Sequence, residues 1–312
     1  MGVSGFVIEH GVSELAAASE KFSTLRPSDL TMVLLVREDL EAGTLPMPTL
    51  SVRDIGLTVK ELAKCGVGAV KVFATGDRRD AQGSLARTRN NVMSRAIEEV
   101  KAADASMTVL TETCLCSYTD TGECHVSDEA GVPDTAATIE VIAEQAVAQA
   151  ESGADIVGPA AMLPGSVRRV RQALDSAGRS DVRVMPHLIF DSKLYDGYRR
   201  TMDAVPASGE RRAFQVDPQR PTRAIQASLD FIVEGADMLL LEPAMFCVDV
   251  LMELKLMCDV PLAPFSVSGE YTRLTDANGD KRLLLELFTM LKRAGSDQII
   301  TYAAGELART LA

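Results

Sequence analysis

The chain has no tryptophan, three histidines and 4% aromatic residues among 312. With only His10, His125 and His187, there is little histidine chemistry to arrange. A block of basic residues is also missing, and the formal charge sums to −12, so DNA, RNA and anionic membranes are not expected partners. No apolar run approaches the length of a membrane span, and the opening residues Met1 to His10 lack both a basic n-region and a long apolar core. A cytoplasmic protein is expected. In that compartment thiols stay reduced, so the widely spaced Cys65, Cys247 and Cys258 read as packing positions without a disulfide role. Apolar residues make up 46% of the chain, enough for a large core, and no Pro-, Gly- or Ser-rich linker divides it.

The other three cysteines fall close together, in Cys114-Leu115-Cys116-Ser117-Tyr118-Thr119-Asp120-Thr121-Gly122-Glu123-Cys124. Three thiolates around one zinc leave the fourth tetrahedral position for water or substrate, which is the pattern of a catalytic rather than a sealed structural site. The local charge of about −1 makes such an ion a weaker polariser than a histidine-bound zinc. The alternative is three small apolar side chains packed in a turn.

Short apolar runs recur at residues 31–36, 69–74, 107–112, 154–158, 182–187, 237–242, 261–265 and 298–302. Between them, segments such as 137–152, 166–177, 222–234 and 281–294 place apolar residues at i, i+3, i+4 and i+7, which predicts amphipathic helices. Gly153, Gly235 and Gly295 close three of these segments, where a left-handed cap precedes the next strand. Eight strand–helix units predict a TIM (β/α)8 barrel over residues 29–312, preceded by an N-terminal arm over residues 1–28. In that fold the chemistry gathers at the C-terminal ends of the strands. The cysteine loop, residues 189–200, Glu242-Pro243, residues 266–270 and Tyr302 are therefore expected to converge.

Five segments together resemble the porphobilinogen synthase (5-aminolevulinate dehydratase) family. They are Thr113 to Thr119 with Gly122 and Cys124, Gly153 to Pro159, Arg211-Arg212 with Phe214-Gln215, Glu234 to Met238, and Val267 to Tyr271. The resemblance implies zinc on Cys114, Cys116 and Cys124, and an assembly of like subunits, from dimer to octamer, joined through N-terminal arms. It also implies a carboxylate grip by Arg199, Arg211 and Gln215, with Ser268 beside the substrate.

The resemblance breaks at the two lysines that hold the family's substrates as imines. Glu242 stands where one is expected, in an alignment without gaps, and Ile189 or Phe190 stands at the other, depending on which neighbours are counted from. Only an amine forms an imine with a ketone, so Lys193, three or four residues further on, is the candidate replacement, or else a solvated loop lysine. Phe265 and Ala303 replace two family tyrosines, and Ala160-Ala161 replaces a serine–aspartate pair.

Partial desolvation at a strand end suits Glu242 to proton transfer, unless it serves in a structural ion pair. Glu112 matches a family acid before the zinc loop, Tyr195 matches a family tyrosine, and Phe265 reads as wall. The first expectation is thus a zinc-dependent lyase acting on 5-aminolevulinate or a related small amino-keto or amino carboxylic acid without the usual two lysine imines, outside normal tetrapyrrole synthesis. Two alternatives stand beside it: a non-catalytic regulatory or scaffold subunit, and an ordinary synthase using Lys193.

Overall fold

Parallel strands whose two faces are both apolar need cover on both sides, and closing the sheet into a barrel ringed by helices supplies it. The computed structural model describes residues 24–38, 45–76, 78–207 and 214–311. The strands are β1 (Leu30–Arg37), β2 (Ala69–Thr75), β3 (Thr108–Thr111), β4 (Ile156–Val157), β5 (Arg183–Val184), β6 (His187–Ile189), β7 (Leu239–Glu242), β8 (Leu262–Ser266) and β9 (Ile299–Thr301). All pair in parallel, in the order β5-β4-β3-β2-β1-β9-β8-β7-β6.

The two ends of that order are one stave. Met185 and His187 donate their N–H groups to the carbonyls of Val157 and Pro159, each at 2.9 Å, on one side. On the other side, Asp237 and Leu240 donate to Val184 and Pro186 at 2.9 and 3.1 Å. Residues 183–189 therefore close the sheet into eight staves, the expected TIM barrel, and the break in the fifth falls at Pro186, which has no N–H.

Alternation along the strands sorts the core into two clusters. Val33, Leu35, Phe73, Leu110, Ile156, Ile189, Leu240, Ala263, Phe265 and Ile300 fill the barrel interior. Leu34, Val36, Val70, Val72, Val109, Val157, Phe190, Leu241 and Leu262 meet the surrounding helices. Those helices include α1 (Ile55–Lys64), α2 (Val92–Ala103), α3 (Thr135–Glu151), α4 (Ser166–Ser176), α5 (Asp196–Thr201), α6 (Pro221–Val233), α7 (Val248–Met257), α8 (Ser268–Leu274) and α9 (Arg282–Arg293). Helix α9 buries Leu284, Leu287, Phe288 and Leu291, the i, i+3, i+4, i+7 stripe its sequence carries.

Asp134 caps α3 by accepting from Ala137 N at 2.9 Å, and Pro221 begins α6. Gly153, Gly235 and Gly295 have φ of 109°, 107° and 107°, as their closing positions predict. No helix among the described residues is long and apolar enough to cross a membrane. Of the expected arm, residues 1–23 lie outside the described residues, and Pro27–Asp29 forms a 3-10 turn leading into β1.

Candidate active site

The cysteine loop is fixed from behind by α3. Gln145 and Gln149, four residues apart on one face of that helix, are both buried. Gln145 Nε2 donates to the Cys114 carbonyl at 3.1 Å, and Gln149 Nε2 donates to the Glu112 carbonyl at 2.9 Å. Gln149 Oε1 accepts from the hydroxyls of Thr111 and Thr113. The loop then turns through Gly122, at φ 68°. Arg79 ties it to the segment after α5, donating to Cys116 O at 3.3 Å and Met202 O at 3.0 Å.

This scaffold brings the Sγ atoms of Cys114, Cys116 and Cys124 within 4.8 Å of one another. A tetrahedral ion with metal–sulfur bonds of about 2.3 Å needs sulfurs about 3.8 Å apart, so the triad fits a metal ion. Hydrogen bonds among the three thiols, followed by burial, push Cys114 well above the usual thiol range. A cation is the partner that would favour the thiolates.

The triad lines one wall of a small cleft at the C-terminal ends of the strands. Glu112, Ile189, Tyr195, Tyr198, Arg199, Gln215, Glu242, Phe265, Ser268 and Tyr302 line the rest together with Phe73 and Ala160. The convergence expected from the sequence is therefore present for most candidates. The ambiguity in the fifth stave resolves by alternation: Ile189 faces the cleft, and Phe190 packs into the outer shell.

Lys193 is not brought in. It opens a 3-10 turn, Lys193–Tyr195, is exposed, and does not line the cleft. Arg211 lies outside the described residues.

Arg199, on α5, is 5% exposed and lies 5.4 Å over the Tyr195 ring. Ser268 is committed to the backbone, since its Oγ accepts from Tyr198 N at 3.0 Å and donates to Leu194 O at 2.9 Å. It thereby positions the Tyr198 segment. Tyr198 Oη in turn donates to Glu112 Oε2 at 2.9 Å. Phe265 is wall, with its ring 5.8 Å from Phe73 and 5.9 Å from Tyr302. Three buried atoms facing this space, Tyr195 Oη, Tyr302 Oη and Gln215 Oε1, have no hydrogen-bond partner among the described residues. Buried polar atoms are normally paired, so these three leave hydrogen-bonding capacity that water or a polar ligand could take up. Burial holds both phenols well above their ordinary range, so they remain hydrogen-bond donors.

Glu242 is 5% exposed, and its Oε1 lies 3.0 Å from His187 Nδ1. Burial pushes it up to about 8; Glu112 and Glu270 push the same way, while Lys71 and Arg199 oppose. His187 is itself 1% exposed, and burial, then the Lys71 charge, hold it well below the ordinary imidazole range, so it is neutral. The scarcity of histidine thus misleads, because one of the three sits against the acid at the heart of the cleft. Lys71 also joins this site, with no motif to mark it in the sequence. Its sign was a lysine at an inward position of the apolar run Val70-Lys71-Val72-Phe73.

A family model described as delta-aminolevulinic acid dehydratase matches residues 13–310. A delta-aminolevulinic acid dehydratase of Bacillus subtilis is 35% identical over 304 residues, covering 94% of this chain and 93% of its own. That of Escherichia coli is 32% identical over 300 residues, covering 92% of this chain and 91% of its own. The crystal structure of the Toxoplasma gondii enzyme with its reaction product porphobilinogen superposes with a TM-score of 0.89 at 25% identity, over 99% of this chain and 92% of that one.

Proposed function

This chain belongs to the delta-aminolevulinic acid dehydratase family, and from that premise we propose a zinc-dependent lyase that condenses 5-aminolevulinate, or a related amino-keto acid, without a strand-end lysine imine. One observation carries the reading. The thiol triad, Arg199 and Glu242 converge on one cleft, and no lysine lines it among the described residues.

Each group has a task its chemistry suits. The Arg199 fork and Gln215 take the substrate carboxylate, with Arg211 as a further candidate. Tyr195 and Tyr302 donate to polar substrate atoms, and the mostly apolar walls exclude water. Glu242, raised towards neutral pH, accepts or returns a proton in the step where a carbon–carbon or carbon–nitrogen bond forms. Zinc held by Cys114, Cys116 and Cys124 would supply an open coordination position and a modest Lewis acid.

The names of the relatives favour a second reading, an ordinary dehydratase within tetrapyrrole synthesis. It requires an imine-forming lysine, and Lys193 would have to move from its exposed turn into the cleft.

The test is turnover of 5-aminolevulinate by the zinc-loaded protein, with and without chelator and in Glu242→Gln. Activity that falls with chelator, returns with zinc and is lost in the variant supports the proposal. No turnover when zinc is bound, or full activity in Glu242→Gln, overturns it.

A further inference from the structure

Lys71 lies in the barrel interior beneath the cleft, at 0% exposure. Its Nζ is 2.7 Å from the Thr111 carbonyl and 2.8 Å from His187 Nε2. The opposite nitrogen of the same imidazole lies 3.0 Å from Glu242. Room for this contact is left by Gly158, where a Cβ would fall 2.8 Å from both Lys71 Nζ and His187 Nε2. An unbroken hydrogen-bonded chain therefore runs from a buried amine to the carboxyl group that faces the cleft. Packing does not require it, because apolar side chains fill barrel interiors well and a buried ion pair is weak evidence for stability.

We propose that Lys71, His187 and Glu242 form a proton relay in which Lys71 is the internal proton reserve for Glu242; this rests on the proton-transfer role proposed above for Glu242. In the step, the Lys71 ammonium gives a proton to His187 Nε2 while Nδ1–H passes its proton to the Glu242 carboxylate. The products are a neutral amine, a neutral imidazole protonated on Nε2, and a carboxylic acid. Reversal needs no further reactant, because the neutral amine accepts from Nε2–H.

Burial pulls Lys71 down and pushes Glu242 up, which brings the two ends of the relay together. Around Glu242, the carboxylates of Glu112 and Glu270 favour its protonated form, and Arg199 and Lys71 favour its anion. Tyr195, Tyr302 and Cys247 are held protonated by burial and stay neutral.

The test reads the free protein by NMR, independently of turnover. Carboxyl carbon-13 shifts, with Glu242 assigned by its loss in Glu242→Gln, give its titration midpoint. Nitrogen-15 shifts of His187 give its tautomer. The relay predicts that Lys71→Met raises the Glu242 midpoint by a pH unit or more. Lys71→Gln, which keeps a hydrogen-bond donor, should do the same if the methionine variant does not fold. In the wild-type protein, both tautomers of neutral His187 should appear in the pH window where Glu242 titrates. An unmoved midpoint, or a single fixed tautomer throughout, overturns the relay. If the NMR coupling is found but the protein turns nothing over, the functional proposal fails and the relay stands.

Discussion

Gly122 lies so close to Val205 that a Cβ on it would fall 2.4 Å from the Val205 carbonyl oxygen. With φ of 68° as well, the position is strained for any other residue. Gly122→Ala should lower stability by about 1–3 kcal/mol. Because this turn carries the chain from Cys116 to Cys124, zinc affinity should fall with it. Thermal melts of the metal-free and metal-loaded variant check both effects.

The thiol triad predicts about one zinc per chain. Cys116→Ser and Cys124→Ser should each weaken zinc binding by about 100-fold or more, since two thiolates and a hydroxyl make a poor zinc site. Metal analysis after dialysis against a chelator of known affinity measures this. Equal zinc retention in all three proteins would contradict the assignment.

Stability should depend on pH through the buried acid and lysine. Glu242 is raised from 4.5 to about 8, so its contribution is fully present below about 4.5 and is lost as pH rises through about 8. Glu270, raised from 4.5 to about 7, acts with the same sign. Lys71, lowered from 10.5 to about 7, contributes fully above about 10.5 and loses that contribution as pH falls through about 7. These groups together put a dip in the stability curve near pH 7–8. Glu242→Gln should flatten the fall between about pH 5 and 8 by a few kcal/mol, on the order of the linkage expected for such a shift. Urea midpoints across that range give the comparison.

Arg199→Lys keeps the charge but loses the planar fork. KM for the substrate should rise by about 10- to 100-fold, roughly 1.4–2.8 kcal/mol, with a smaller effect on kcat. Steady-state kinetics at saturating zinc separate the two parameters.

The barrel is legible in sequence because its staves are short and apolar on both faces, and because Gly153, Gly235 and Gly295 mark where helices return to strands. The cysteine loop is legible because its three cysteines lie within eleven residues. The fifth stave is harder to read: counting from either flank differs by one residue, and a slip of one exchanges the inward and outward faces, so Ile189 and Phe190 are separated only by the structure. Lys71 and His187 are 116 residues apart, and nothing local announces that their nitrogens meet. Arg79 and the Tyr198–Glu112 hydrogen bond are hidden for the same reason. Of the three residues that the family resemblance assigns to a carboxylate grip, Arg199 and Gln215 line the cleft, and Arg211 lies outside the described residues.

Borohydride reduction during turnover of 5-aminolevulinate, followed by peptide mass spectrometry, separates a site served by Glu242 from one served by a lysine imine. Activity should continue, with no substrate adduct on any lysine, Lys71 and Lys193 included. A stoichiometric reduced adduct on either lysine, with loss of activity, would contradict the role given to Glu242.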